Sequence, residues 1–396
     1  MKIAFVIPWY GEDIRGGAEM ELREVSSHLA AAGEDIEILT TCAKSFDSDW
    51  NVNYYSEGTA MVYGVPTRRF AVKGRNTAAF NRINRKLMRS EKISLDEEKL
   101  FLREMIRSDD LCSYIQEKEH LYDLFVFMPY MFGTTFFGVL ACPPEKTVML
   151  PCFHNESYAH MVMFRRTYIN IKGMIFNSQP EKQLANRLYD LREVSQECIG
   201  VGMNTKIHGK PEAFREKFGI DAPFVLYAGR KDKGKNVETL LKYFAEYKMR
   251  EPDSQLQLVL MGGGEIELPE TDEEFIRDLG FVEPEDKYNA MAAAEFLCQP
   301  SLNESFSIVI MESWLCGRPV LVHGKCPVTA DFVKKAQGGL YFQDYYEFEG
   351  CLKWLTENRE KASELGENGR AFVKKSFDWD IITEKYITFF RKLTEE

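Results

Sequence analysis

One pattern restricts this chain more than any other. Short apolar runs that stop at Gly, Pro or a polar turn alternate with longer segments whose apolar residues recur every three or four positions, and the alternation runs twice. In the first half the runs lie at residues 1–8, 34–41, around Tyr63, and at 124–128, 146–150 and 173–177. Helical segments separate them at about 18–32, ended by Gly33, in a basic stretch after Tyr63, and at 95–119. Ser178-Gln179-Pro180-Glu181 reads as a capping box opening a further helix. Ile199-Gly200-Val201-Gly202-Met203 reads as a linker, and the pattern restarts with strands at 224–228, 256–261 and 296–299, a strand end at Phe281-Val282, and helices at about 237–247 and 286–294. Strands alternating with helices predict a parallel sheet covered on both faces. Two such sheets predict a ligand at the carboxyl ends of their strands, in a cleft between two domains.

A length of 396 residues is long for one core and agrees with two domains. Apolar content of 45% with 28% charged residues is ordinary globular usage. The net charge of −11 argues against nucleic acid as a general partner. Nine cysteines contain no CxxC pair and no apolar leader precedes the first strand, so a reducing cytoplasm is the expected compartment. Residues 124–142 carry no charge, but Pro129, Gly133, Thr134, Thr135 and Gly138 interrupt them, so they read as a strand, a turn and a buried helix start rather than a membrane span.

The chemistry concentrates at strand exits. The run Pro300-Ser301-Leu302-Asn303-Glu304-Ser305-Phe306-Ser307 leads into an apolar segment that stops at Gly317-Arg318-Pro319, with Glu304 and Glu312 separated by seven residues. A helix starting near Ser305 leaves the N–H groups of Ser305, Phe306 and Ser307 unpaired and able to hold phosphate, with Glu304 at its rim and Glu312 about two turns in on nearly the same face. On spacing alone the two glutamates also fit a solvated helix face. Gly229-Arg230-Lys231-Asp232-Lys233-Gly234-Lys235-Asn236 follows the strand at 224–228, and its four cations suit a diphosphate or a plain basic turn. Gly16 and Gly17 lie in the loop after the first strand, which lacks the G-x-G-x-x-G spacing of a dinucleotide site. His154 follows another strand exit, where a structural role competes with a sugar contact. Gly263, within Gly262-Gly263-Gly264, predicts a tight loop against which a base or ribose lies. No zinc pattern or HExxH occurs, and Asp47-Ser48-Asp49 reads as a loop cap, so no metal site is expected.

Taken together, Glu304, Ser305-Phe306-Ser307, Glu312 and the Cys-Gly-Arg-Pro-Val-Leu-Val exit resemble the donor-binding signature of the retaining glycosyltransferases of family four. Such enzymes have the GT-B fold, two Rossmann-like α/β domains facing across a cleft. The resemblance implies that Glu304 contacts hydroxyls of the transferred sugar and Glu312 the ribose. Gly229-Arg230-x4-Lys235 resembles the element whose Arg and Lys bind the leaving diphosphate, and Asp232 is not part of that match. Gly16-Gly17 resembles the loop that meets donor phosphate and acceptor; His154 is placed to touch the sugar, and Gly263 and Val282 to border the nucleoside. This chain departs from the family in having Ser305 and Ser307 on either side of Phe306, where glycine is usual. Phe377-Asp378-Trp379 and the helix after it resemble the family's last helix, which crosses back to the first domain. The implied division is 1–197 for the acceptor-binding domain, 198–376 for the donor-binding domain and 377–396 for the returning helix.

The resulting expectation is a retaining, metal-independent hexosyltransferase. It carries a hexose from a nucleoside-diphosphate sugar, a substrate and not a cofactor, to a hydroxyl of a glycan or lipid-linked glycan in cell-surface polysaccharide synthesis. A nucleotide-sugar epimerase, a phosphorylase or a non-catalytic sugar-nucleotide-binding subunit remains an alternative. Between Arg68 and Arg89 stand Arg68, Arg69, Lys73, Arg75, Arg82, Arg85, Lys86 and Arg89 without one acidic residue, while Phe80, Ile83 and Leu87 share a helix face. That stretch suits either a solvated helix or a peripheral contact with anionic lipid at the inner face of the membrane.

Overall fold

The computed structural model describes residues 1–12, 16–266, 268, 272 and 274–395. They divide into two compact units, Met1–Gly202 with Trp379–Glu396, and Met203–Asp378.

The first unit is built on strands β1 (Lys2–Val6), β2 (Asp35–Thr41), β3 (Gly58–Val62), β4 (Val65–Phe70), β5 (Leu124–Phe127), β6 (Thr147–Met149), β7 (Gly173–Phe176) and β8 (Ser195–Cys198). Their order is β3-β4-β2-β1-β5-β6-β7-β8, and every pairing is parallel except β3 with β4. The strands nearest the middle carry continuous apolar runs because helices cover both faces. The strand expected around Tyr63 is a hairpin instead: Tyr63 and Gly64 take φ of 48° and 79°, the left-handed pair that joins two antiparallel strands most tightly. The helix expected over 95–119 is two helices, Leu95–Arg103 and Asp109–Lys118. Ser108 starts the second by accepting a 3.2 Å hydrogen bond from the Leu111 N–H. Strand β8 reads Ser-Gln-Glu-Cys and has no apolar run, so it escapes a hydrophobicity reading although it pairs with β7 over its whole length. The helix Trp379–Glu395 belongs to this unit, with Trp379 stacked on His28 at 4.1 Å and Leu393 seated over Gly173, where a Cβ would come within 2.8 Å of its methyl carbon.

The basic stretch is not a field of free cations. Arg68 pairs with Glu37 at 2.9 Å, Arg69 is buried and donates to the Tyr10 carbonyl, Lys73 pairs with Asp109, and Lys86 meets Glu97 at 2.6 Å. Arg75 lies against the rings of Trp50 and Phe80, 4.6 Å from each. The helix Thr77–Met88 buries Phe80, Ile83 and Leu87 as its spacing predicts and leaves Arg82 and Arg85 exposed. No helix among the described residues is long and apolar enough to cross a membrane.

The second unit contains β9 (Phe224–Ala228), β10 (Gln257–Met261), β11 (Ile276–Asp278), β12 (Phe296–Gln299), β13 (Val320–His323) and β14 (Gly339–Phe342). All pair in parallel in the order β11-β10-β9-β12-β13-β14. Numbered within the unit this is 3-2-1-4-5-6, the doubly wound order, whose direction reverses between β9 and β12. Val225, Tyr227, Leu258, Leu260, Phe296 and Leu321 pack one face of the sheet.

Candidate active site

The reversal point of the second sheet has a consequence for chemistry, because the loops after β9 and β12 leave in opposite directions and open a crevice at their strands' carboxyl ends. The β9 loop carries the basic run. Gly229 takes a φ of 155°, and the Tyr227 hydroxyl donates to the Arg230 carbonyl at 2.5 Å, which fixes the exit. Asp232 accepts from the Lys235 N–H at 3.1 Å and lies 3.4 Å from the Arg230 guanidinium, so it caps the turn. Asn236 adopts the left-handed φ of 57° that Asn tolerates, and its amide donates to the Pro300 carbonyl at 3.1 Å, tying this loop to the β12 exit.

The expected clamp of four cations is reduced to three. Lys231 is buried, its side chain only 2% exposed, and its ammonium meets both oxygens of Asp278 at 2.7 Å while its N–H donates to the Gly263 carbonyl. Arg230 stays 68% exposed, Lys233 is exposed, and Lys235 reaches Glu304 with Nζ 2.7 Å from Oε1.

The β12 loop holds the glutamates. The helix expected from Ser305 runs over Ile308–Leu315, because Ser307 takes φ 81° and ψ 76°, a left-handed conformation that no helix interior contains. Glu304 is therefore a loop residue and not one turn of the Glu312 helix. Among the described residues nothing accepts from the N–H groups of Ser305, Phe306, Ser307, Ile308 or Val309. The Phe306 ring anchors the loop, 5.2 Å from Phe332 and 5.0 Å from Phe377.

Glu312 is 4% exposed. Its Oε1 accepts from the Lys287 ammonium at 2.6 Å and the Tyr288 hydroxyl at 3.2 Å, whereas Oε2 is buried without a partner. Gln299 Oε1, Ser301 Oγ and Ser307 Oγ, all on the β12 exit, are likewise buried and unpartnered. Such atoms are rare in folded chains, and several on one loop mark a place that a ligand or water completes. Lys287 and Tyr288 were invisible in the sequence because they sit on another helix, Pro284–Ala293, and meet Glu312 only in the fold.

The nucleoside-side expectations fall on loops. Gly262 is packed so closely that a Cβ would come within 2.0 Å of the Gly229 carbonyl oxygen, whereas at Gly263 a Cβ would meet nothing within 4 Å. Val282 does not end a strand: β11 stops at Asp278, and Val282 is half-buried in the loop beyond it.

Gly16, Gly17 and His154 belong to the first unit. Gly16 is the N-cap of the helix Gly17–Ala31, and Asp13, Ile14 and Arg15 of the preceding loop lie outside the described residues. His154 follows β6 with Nδ1 3.8 Å from Glu156. Beneath it is a buried acidic knot that sequence reading missed. Glu181, instead of closing a capping box, accepts from the N–H groups of Phe153 and Asn177, each at 2.6 Å, while the Asn177 amide donates to Glu21 at 3.1 Å. Burial pushes the carboxyls of Glu21 and Glu181 up to about 8. Asp49 of the acidic triplet accepts from the Asn51 N–H at 3.0 Å, the loop-cap role expected of it. Among the described residues no three His, Cys, Asp or Glu side chains gather as metal ligands.

Comparison with known proteins gives this geometry a class. Residues 210–372, nearly all of the second unit, match the family of glycosyl transferases group 1. It is 25% identical over 246 residues to a D-inositol 3-phosphate glycosyltransferase of Corynebacterium glutamicum, covering 57% of this chain and 58% of the relative. The chain spans about half the length of the curated relatives it matches. Among solved structures, Anabaena HepE in complex with UDP superposes with a TM-score of 0.72 at 18% identity over 99% of this chain and 100% of that one. Sucrose-phosphate synthase from Thermosynechococcus elongatus does so at 0.70 and 18%, over 99% and 98%. The fold is that of the GT-B glycosyltransferases along the whole chain.

Proposed function

We propose that the protein is a retaining hexosyltransferase that takes its sugar from a nucleoside-diphosphate donor held at the β9/β12 reversal point and delivers it to a hydroxyl of a glycan or lipid-linked glycan. The observation that carries this reading is the buried, unpartnered Oε2 of Glu312, taken with three more unpartnered oxygens on the β12 exit and with the cations Arg230 and Lys235 of the β9 loop. A ribose diol supplies the donors that Glu312 lacks. The N–H groups of Ser305 to Val309 and the two cations suit a diphosphate, and each charge-assisted contact contributes roughly 1.5–3 kcal/mol. Lys235 meets Glu304 when no donor is bound; with donor present, its ammonium turns to the diphosphate and the carboxylate accepts from sugar hydroxyls.

In the reaction the bond from the anomeric carbon to the diphosphate oxygen breaks as the acceptor oxygen bonds to the same face. Charge that grows on the departing diphosphate is met by Arg230, Lys235 and the loop amides, which are in position before the step. A donor phosphate oxygen takes the acceptor's proton, so no side-chain nucleophile is used. His154, Gly16 and Gly17 of the first unit serve the sugar and acceptor side. The cations suffice for the diphosphate, so neither a metal nor a cofactor takes part. HepE binds UDP-glucose, which makes uridine diphosphate sugars the first donors to test.

We place the enzyme in the cytoplasm, in the synthesis of a surface polysaccharide. Arg82 and Arg85, with Arg89 3.9 Å from Glu91, are the cations of the basic stretch that best suit anionic lipid, at about 1 kcal/mol each. The inositol-phosphate acceptor in the relatives' name makes a small polyol phosphate the competing acceptor class. Radiolabelled UDP-glucose and UDP-galactose, incubated with lipid-linked oligosaccharide or with inositol phosphate, decide the matter. A labelled glycoside with retained anomeric configuration supports transfer. An altered free sugar means an epimerase, a sugar phosphate a phosphorylase, and donor bound but unchanged a binding subunit.

A further inference from the structure

A second pocket lies in the first unit, among side chains that the donor site does not use. It is an open surface depression of about 320 Å³ lined by Phe46, Asp49, Trp50, Arg75, Thr77 and Asn81. Those residues come from the segments that follow β2 and β4 and from the start of the helix Thr77–Met88, so the pocket opens at the carboxyl ends of two adjacent parallel strands.

The wall is preformed. Trp50 is stacked on Trp9 with ring centres 5.7 Å apart, and the Arg75 guanidinium lies against both Trp50 and Phe80 while donating to the Glu104 carbonyl at 2.9 Å. Asn51 bridges the rim, donating from its amide to Asp49 Oδ1 at 3.3 Å and to the Thr77 hydroxyl oxygen at 3.0 Å. Several groups are left with capacity. Arg75 Nε is buried with no partner, the Thr77 hydroxyl hydrogen is free to donate, and among the described residues Asp49 Oδ2 and the Asn81 amide have no hydrogen-bond partner. Phe46 stands 53% exposed at the mouth and offers a flat apolar ring.

This set selects a chemistry. Free phosphate is opposed by Asp49, and an organic cation finds the faces of Trp50 and Phe80 already covered by Arg75. An uncharged sugar ring fits: one face is C–H and lies on Phe46, and its neighbouring hydroxyls both donate, to Asp49, and accept, from Asn81 and Thr77. We propose that this pocket binds a neutral pyranose ring of the acceptor, a step that rests on the glycosyltransferase reading and names its acceptor as a glycan rather than a polyol phosphate.

The test uses the whole protein and two independent probes. Methyl glucopyranoside, mannopyranoside and galactopyranoside are examined by saturation-transfer NMR, and UDP binding is measured by calorimetry on the same samples. Saturation transfer to the ring C–H protons of at least one glycoside is expected, with affinity about tenfold lower in Asp49→Ala, which loses a charge-assisted hydrogen bond, and signal lost in Phe46→Ala. Both variants keep wild-type UDP affinity; because Asp49→Ala also loses the cap on the Asn51 N–H and Phe46→Ala the ring contacts with Trp9 and Trp50, binding is compared at a temperature below both variants' unfolding midpoints. If the wild type binds UDP but none of the glycosides, or if inorganic phosphate binds and displaces them, the pocket assignment is overturned while the donor site stands. If glycosides bind but UDP does not, the donor reading fails and the sugar pocket survives.

Discussion

Replacing Ser307 by glycine separates strain from function at the heart of the donor loop. Ser307 is 7% exposed, carries φ 81° and ψ 76°, and its Oγ is buried without a partner. A left-handed backbone costs a non-glycine residue roughly 1–2 kcal/mol, and an unsatisfied buried hydroxyl a further 1–3 kcal/mol. Against this, glycine loosens the unfolded chain by about 0.4–1 kcal/mol. The net expectation for Ser307→Gly is a gain of about 1–4.5 kcal/mol. In a unit of 176 residues, counted from Met203 to Asp378, that raises its midpoint by about 2–18 °C in calorimetry. On the proposed reading the donor completes this hydroxyl, and the same variant is then expected to bind the nucleotide about 2- to 12-fold more weakly, the worth of one neutral hydrogen bond. An unfolding temperature that stays level or falls refutes the strain reading; a raised temperature with unchanged nucleotide affinity refutes the hydroxyl's role in binding.

Other perturbations separate the remaining parts. Glu312→Ala raises the donor KM, since ribose contacts are nearly the same before and during reaction, whereas Glu304→Ala chiefly lowers kcat, since contacts to the departing sugar tighten in the transition state; steady-state kinetics in which both change only KM would remove that division. Activity persists in excess EDTA, because Arg230 and Lys235 neutralise the diphosphate; complete loss reversed by magnesium or manganese contradicts this. The first unit loses stability as pH rises from about 4.5 to about 8, the window in which buried Glu21 and Glu181 keep protons that the unfolded chain has shed. The slope is up to about 1.4 kcal/mol per pH unit for each group, and Glu21→Gln flattens it in denaturant titrations at several pH values.

What the sequence reveals is what depends on local pattern. Phe224-Val225-Leu226-Tyr227-Ala228 and Phe296-Leu297-Cys298-Gln299 are legible as strands because both are buried on two faces. Their adjacency in the sheet, which brings Lys235 to Glu304, is not, since 69 residues separate the two. Ser307 shows why the helix start was misplaced: the turn needs a left-handed residue, and serine does not announce one as glycine does. Lys231 looks like its basic neighbours, yet its partner Asp278 lies on another strand and takes it out of the clamp. Lys287 meets Glu312 from 25 residues away and Glu181 accepts from Phe153 28 residues away, contacts across the fold that leave no periodic trace.

On the proposed reading a nucleoside diphosphate binds at the β9/β12 reversal point through Lys235 and Glu312. Thermal unfolding of the wild type, Lys235→Ala and Glu312→Ala, each with and without UDP, GDP and ADP, tests it most directly. A ligand at about a hundred times its Kd adds about 2.7 kcal/mol to the folded state, which is on the order of 5–10 °C for a unit of this size. The expected result is such a rise for at least one nucleotide in the wild type, reduced by more than half in both variants. No rise with any of the three, or an equal rise in all three proteins, would contradict the assignment.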